Sequence, residues 1–230
     1  LPASAFGRQK ARALLAMLAC ARGAVHREAL VDGLWPDLSA KRGLAALNST
    51  LYALRRGLEP ELAAGDSSSL VVAEGPTYRL VLGEADSWDA ADFLARARAA
   101  LAAPGDVDAL LAAEAAWTGP FLPEWTFAPW TEPLRTELGE AHRAVLVGAA
   151  EALAAAGRAE EAISRYRLLL AMEPEREGWH RALMRVYARA GERGLALRQF
   201  EACRRALREG LGVEPSRETR DLHAELLREG

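Results

Sequence analysis

Cysteine is almost absent from this chain of 230 residues: there are two, Cys20 and Cys203, near opposite ends. Each sits inside an apolar helical pattern, so they read as free buried thiols rather than a disulfide, the usage of a reducing compartment. Long apolar runs are missing as well. None approaches the ~18 residues that a membrane-crossing helix needs, and no secretory signal opens the chain. The expected location is the cytoplasm, with no membrane partner, and the start at Leu1 rather than Met leads us to expect a trimmed piece. Catalytic patterns are lacking too. The four histidines, His26, His142, His180 and His223, show no zinc-type ligand spacing. There is no Gly-rich phosphate loop ending in Lys-Ser/Thr and no nucleophile elbow. Acid pairs such as Glu160-Glu161 fall on solvated helix faces. The expectation is a protein without metal or cofactor that is not an enzyme.

What is present is material for helices. Aromatics make up 7% of the chain and β-branched residues are few, while alanine and leucine abound. Both lose little side-chain entropy in a helix. Half the residues are hydrophobic and 27% charged, enough for a packed core in one or two domains. The formal net charge of −3 hides an asymmetry. Residues 1–58 carry nine Lys/Arg against three acids, a balance of +6, which leaves −9 for residues 59–230. Such a split suggests one end that meets a polyanion and another with a different task, although chance in an Arg-rich chain gives the same split.

Along the chain, "RQKARALLAMLACA" (8–21) places Leu14, Leu15 and Leu18 on one helical face. "VHREALVDGLW" (25–35) gives a short second helix that Pro36 stops. A third helix spans about Lys41 to Leu58, with Leu44, Leu47, Leu51, Leu54 and Leu58 in one stripe at 3–4 spacing. The period then changes. Two β-prone runs, Leu70–Val72 and Tyr78–Leu82, flank Glu74-Gly75-Pro76 and predict a hairpin. Three helices followed by a hairpin is the order of a winged helix-turn-helix. From about Ser87 the pattern is helical again, with helices near 88–103, 107–116, 130–156, 158–172, 176–190, 192–210 and 217–228. Gly157, Ala162 and Tyr166 recur 34 residues on as Gly191, Ala196 and Phe200. That period of paired helices is the tetratricopeptide pattern. One segment stands apart: "WTGPFLPEWTFAPW" (117–130) holds three Trp, two Phe and three Pro. Its rings either fill space between helices or offer a peptide-binding surface.

The third helix carries the candidate binding residues. At 100° per residue its arc opposite the leucines holds Arg42, Ala45, Ser49, Tyr52, Ala53 and Arg56, with Lys41, Asn48 and Arg55 on one flank. Small residues let the axis approach a groove floor, and Asn48, Ser49, Tyr52 and the arginines reach base edges and phosphates. No acid stands between Lys41 and Leu58, which an ordinary solvated helix would rarely achieve.

On "RQKARALLAMLA", "REALVDGLWPD", "LNSTLYALRRGLEP" and "YRLVL", residues 8–82 resemble the winged-helix DNA-binding domain of response-regulator type. The remainder, through "GPFLPEW" and "GRAEEAISRYRLLLAMEP" to "GLGVEPSRETR", is similar to the bacterial transcriptional activator domain. The pair in this order resembles the antibiotic-regulatory (SARP-type) activators over nearly the whole chain. The resemblance implies a mainly α fold, with a winged helix over 1–84 and a tetratricopeptide-like helical domain over 85–230. It further implies a cytoplasmic transcription factor whose third helix enters the major groove of promoter DNA and whose wing touches the minor groove. Carried over by position, the reading face falls on Asn48, Ser49, Tyr52, Arg55 and Arg56 of the helix, with Thr77 and Arg79 on the wing; Arg42, on the outer arc, is expected to contact DNA without reading sequence. The implied partners are double-stranded DNA with direct repeats, a second copy bound beside the first, and RNA polymerase. Two departures stand out: almost nothing precedes Phe6, where such proteins begin with strands, and Thr77 stands where a wing glycine is common. The alternative is a protein-interaction scaffold whose winged helix has become a protein contact.

Overall fold

The computed structural model describes residues 9–63, 65–83 and 86–228. Arg8, at the head of the first predicted helix, and the expected boundary at residues 84 and 85 lie outside them. The fold is mainly helical with one small sheet. Two compact units result: Leu1–Trp88 with Pro120–Glu137, and Asp89–Gly119 with Leu138–Gly230.

The first unit holds α1 (Gln9–Ala21), β1 (Val25–His26), α2 (Arg27–Leu34), α3 (Ala40–Leu58), β2 (Val71–Glu74) and β3 (Thr77–Leu80). Its core joins Leu14 and Leu18 of α1, Leu30 and Leu34 of α2, and Leu47, Leu51 and Leu54 of α3, all buried. Each such leucine contributes roughly 1.5–3 kcal/mol. The His26 ring caps α2 by accepting the Glu28 backbone N–H at 3.3 Å. Gly43 permits the α2–α3 crossing: a Cβ there would stand 2.3 Å from Val31 Cγ1.

The sheet corrects the sequence reading, which put Val25 and His26 in the second helix and found two strands. Among the described residues there are three, in order β1-β3-β2, all antiparallel, with Val25 opposite Tyr78 and Val72 opposite Arg79. A two-residue strand has no periodicity to detect. Its conformation is set by β3 and by the Arg27 N–H donating to the Pro76 carbonyl at 2.9 Å. The strands also sit a residue or two from their expected places, and Gly75 takes φ +59° in a two-residue turn. Glycine suits that position because it adopts positive φ freely.

Residues 120–137 join this unit through their rings. After Leu122, two 3-10 turns, Pro123–Trp125 and Pro129–Thr131, set Trp125 and Trp130 against the core, centroids 5.9 Å apart. Trp130 lies over Gly33, and the Arg12 guanidinium stacks 5.7 Å from the Trp125 ring while pairing with Glu124 at 3.1 Å.

The second unit contains α4 (Asp89–Leu101), α5 (Val107–Ala115), α6 (Glu132–Ala155) from Leu138 onward, α7 (Ala159–Met172), α8 (Glu177–Arg189), α9 (Arg193–Leu211) and α10 (Arg217–Arg228). The 34-residue repeat is visible in its backbone. Gly157 and Gly191 take φ +74° and +77°. Arg158 N–H donates to Leu153 O and Glu192 N–H to Tyr187 O, both at 2.9 Å, one repeat apart. Ala162 and Ala196 are fully buried where the paired helices touch. Trp117 packs edge-on to Phe93 and stacks on His142 at 4.3 Å. His223 stacks on Phe200, and His180 is buried between the Pro174 carbonyl and the Gln199 amide. Both cysteines are free, and burial pushes the Cys20 thiol up to about 11 and that of Cys203 to about 12, so neither is a reactive thiolate. Among the described residues no helix is long and apolar enough to cross a membrane.

Candidate nucleic-acid interface

Two stripes run along α3. Leu47, Leu51 and Leu54 face the core, and Arg42, Ala45, Ser49, Tyr52 and Arg56 form a second stripe at 3–4 spacing. Every member of that second stripe is exposed, Tyr52 to 67%, and Asn48 is exposed beside it. Thr50, at the edge of the core, satisfies its own hydroxyl by donating to Ala46 O at 2.8 Å.

The start of α3 breaks a local rule. Ser39 occupies the cap without a side-chain hydrogen bond, and the first turn holds no acid but does hold Lys41 and Arg42. Cations at a helix N-terminus oppose the backbone dipole, each at a cost of roughly 0.3–1 kcal/mol. Open N–H groups with two cations beside them form a place for an anion such as phosphate. Residues that violate local preference in this way are often functional.

The C-terminal end is built differently. Arg55 is half-buried, and its Nη2 donates to Val71 O, the first residue of β2, at 3.0 Å. Glu59 accepts from the Ser69 N–H at 2.9 Å, the Ser69 hydroxyl at 2.7 Å and the Ser68 hydroxyl. Ser68 Oγ in turn accepts the Val71 N–H at 2.8 Å. Burial works against the Glu59 charge, but the hydrogen bonds from Ser68 and Ser69 outweigh it and hold the carboxyl below the usual range. This chain of bonds straps the end of α3 to the wing. Arg56 remains exposed and donates to Leu62 O at 2.8 Å. A hollow of about 430 Å³ lies there, lined by Asn48, Tyr52, Arg56, Leu62, Asp66 and Tyr78 among others.

On the wing, Thr77 donates its hydroxyl to Glu74 O at 2.9 Å, and Arg79 pairs with Glu74 at 2.8 Å. That exposed pair contributes under about 1 kcal/mol, so a phosphate could replace the carboxylate at little cost. Of the sequence-predicted residues, five thus share the open face or its edge: Arg42, Asn48, Ser49, Tyr52 and Arg56. Arg55 turns to the strand, and Thr77 and Arg79 are engaged within the hairpin. The sequence reading missed the open cap at Ser39 and the Glu59–Ser68–Ser69 strap. Lysine and arginine in the first helical turn signalled the former; nothing in the periodicity signalled the latter.

A family model described as the bacterial transcriptional activator domain matches residues 85–227. The transcriptional regulatory protein MoaR1 of Mycobacterium tuberculosis is 31% identical over 97% of this chain and 73% of its own length. The regulatory protein AfsR of Streptomyces coelicolor is 30% identical over 97% of this chain, which spans 22% of AfsR. Among solved structures, M. tuberculosis EmbR in complex with a low affinity phosphopeptide superposes with a TM-score of 0.81 at 29% identity. That match covers all of this chain, which spans 61% of the EmbR chain. MoaR1 and AfsR are named as regulatory proteins, and the chain belongs to the bacterial transcriptional activator domain family, among SARP-type transcriptional regulators.

Proposed function

We propose that this regulator binds double-stranded DNA by laying α3 in the major groove. The observation that carries the reading is the unbroken exposed stripe of Arg42, Ser49, Tyr52 and Arg56, with Asn48 beside it, on a helix without a single acid. At 19 residues α3 is roughly 28 Å long, enough to lie along a groove. Lys41, Arg42 and the open N–H groups behind Ser39 take backbone phosphates, which fixes register. Asn48, Ser49, Tyr52 and Arg56 read base edges. Arg55 positions the wing rather than reading sequence. Thr77 and Arg79 meet the adjacent minor groove once Arg79 exchanges Glu74 for phosphate. Residues 1–84 form the DNA-binding part, and the helical part over 85–230 supports pairing of two copies on direct repeats and contact with RNA polymerase in the cytoplasm.

The test is selection of bound duplexes from a genomic library, followed by anisotropy titration with the best. Binding in the nanomolar range that Asn48→Ala weakens by roughly tenfold to a hundredfold is expected. Failure to bind any duplex at low salt would overturn the assignment.

A further inference from the structure

A hollow of about 610 Å³ opens in the second unit between α7 and α9, the second helices of two consecutive pairs, with α8 beneath it. That volume lies in the range of small-ligand sites. Its middle is apolar, lined by Leu170, Leu183, Ala202 and Ala206. Its floor holds a fixed polar group. The Pro174 carbonyl can only accept, so the buried His180 carries its proton on Nε2, 2.8 Å away, and its Nδ1 accepts from the Gln199 amide at 2.6 Å. That bond sets which way the Gln199 amide turns. Its Oε1 and second N–H have no partner among the described residues, and Gln199 lines the hollow. An open acceptor and donor side by side match a peptide group.

The two ends of the hollow differ in charge. At one, the half-buried Glu175 packs against Gly210, where a Cβ would collide with its Oε1, and it pairs with no base among the described residues. Glycine inside a helix costs roughly 1 kcal/mol relative to alanine, and here the missing side chain makes room for the carboxylate. The last carbonyls of α9 add partial negative charge at this end. At the other, Arg167 Nη2 donates to the Tyr187 hydroxyl at 2.9 Å, and Arg167 pairs with no acid among the described residues. Counted by the 34-residue repeat, Arg167 stands level with Glu201, which is itself paired with Arg204. Gly210 lies nine positions further on, roughly 13 Å along the helix. Arg205 and Glu209, one turn apart on α9 between these ends, offset each other. We propose that this hollow is a ligand site for a short peptide with free ends. The ammonium meets Glu175, an apolar side chain covers the middle, a peptide group meets Gln199 and the carboxylate meets Arg167. Three extended residues reach roughly 10 Å, which fits that span with a charged hydrogen bond at either end.

The experiment is calorimetric titration of the whole chain with three tripeptides, alanine flanking valine, leucine or phenylalanine. At least one should bind with a dissociation constant on the order of 10–100 μM. Acetylating its N-terminus or amidating its C-terminus should each weaken binding about tenfold or more. Glu175→Gln should bind the free peptide as weakly as wild type binds the acetylated one, and acetylation should then cost nothing further. Arg167→Gln should behave likewise toward amidation. Gly210→Ala, which displaces the carboxylate without removing it, should weaken binding while melting at or above the wild-type temperature. No binding of any of the three peptides below about 1 mM would overturn the proposal. So would end-blocked peptides that bind as well as free ones, or variants that lose affinity for free and blocked peptides equally. The titration uses no DNA, so its failure leaves the DNA-binding reading standing, and failure of that reading leaves this site standing.

Discussion

The two arginines at the end of α3 are adjacent in sequence and have different surroundings. Arg56 stands on the open stripe, whereas Arg55 reaches back to Val71 and belongs to the strap that includes Glu59. Substitutions should separate them. Arg56→Ala and Tyr52→Ala should weaken the preferred duplex by about 1–3 kcal/mol and flatten discrimination among bases, while Arg42→Ala should weaken all duplexes alike and reduce the salt slope by about one. Arg55→Ala should lower the melting temperature and weaken every duplex together, with base preference unchanged. A titration panel of point-mutated duplexes at three salt concentrations checks all four. Glu59 adds a pH dependence. Its folded pKa lies below the unfolded value, so its contribution is present above the ordinary glutamate range and is lost as pH falls through the folded pKa. Glu59→Gln should therefore destabilise the protein at neutral pH, and the gap from wild type should close in urea titrations run below about pH 4. A gap independent of pH would place the effect in packing rather than charge.

Between elements, glycine decides how closely α3 can sit. Gly43→Ala would force the new methyl into Val31 and should cost about 1–3 kcal/mol, with a loss of DNA affinity as α3 tilts away from α2. Gly139→Ala, inside α6 with nothing within 4 Å, should instead stabilise by about 0.5–1 kcal/mol. Denaturant midpoints of the two variants give the contrast directly. The elements themselves were unequally legible. Helix α3 could be read to within a residue because its leucines and its polar stripe keep one period over 19 positions. The paired helices could be read because Gly157 and Gly191 repeat a turn, and the structure gives that turn the same φ and the same hydrogen bonds. Strand β1 could not, since two residues carry no period and their partner Tyr78 lies 53 positions away. The role of Arg55 was hidden for a related reason: helical geometry gives the angle of a side chain but not the strand it will meet.

The largest surprise lies at the scale of the molecule. The family match runs unbroken through residues 85–227, yet residues 120–137 fold with the chain's first 88. No local pattern could show this, because Trp125 and Trp130 find their packing partners more than 90 positions upstream, over Gly33 and around Arg12. The candidate DNA-binding helices therefore depend for part of their stability on residues far along the chain. Trp130 is half-buried, so Trp130→Ala should cost about 2 kcal/mol, below the range for a fully buried tryptophan. That loss should not spread evenly. Hydrogen exchange in the whole protein should quicken by roughly thirtyfold in the amides of α1 and α2, while α8 and α9, whose core contains neither tryptophan, keep their protection. Equal acceleration in all four helices would mean that the two compact units open as one. No change in α1 and α2 would mean that the tryptophans cover this unit without holding it.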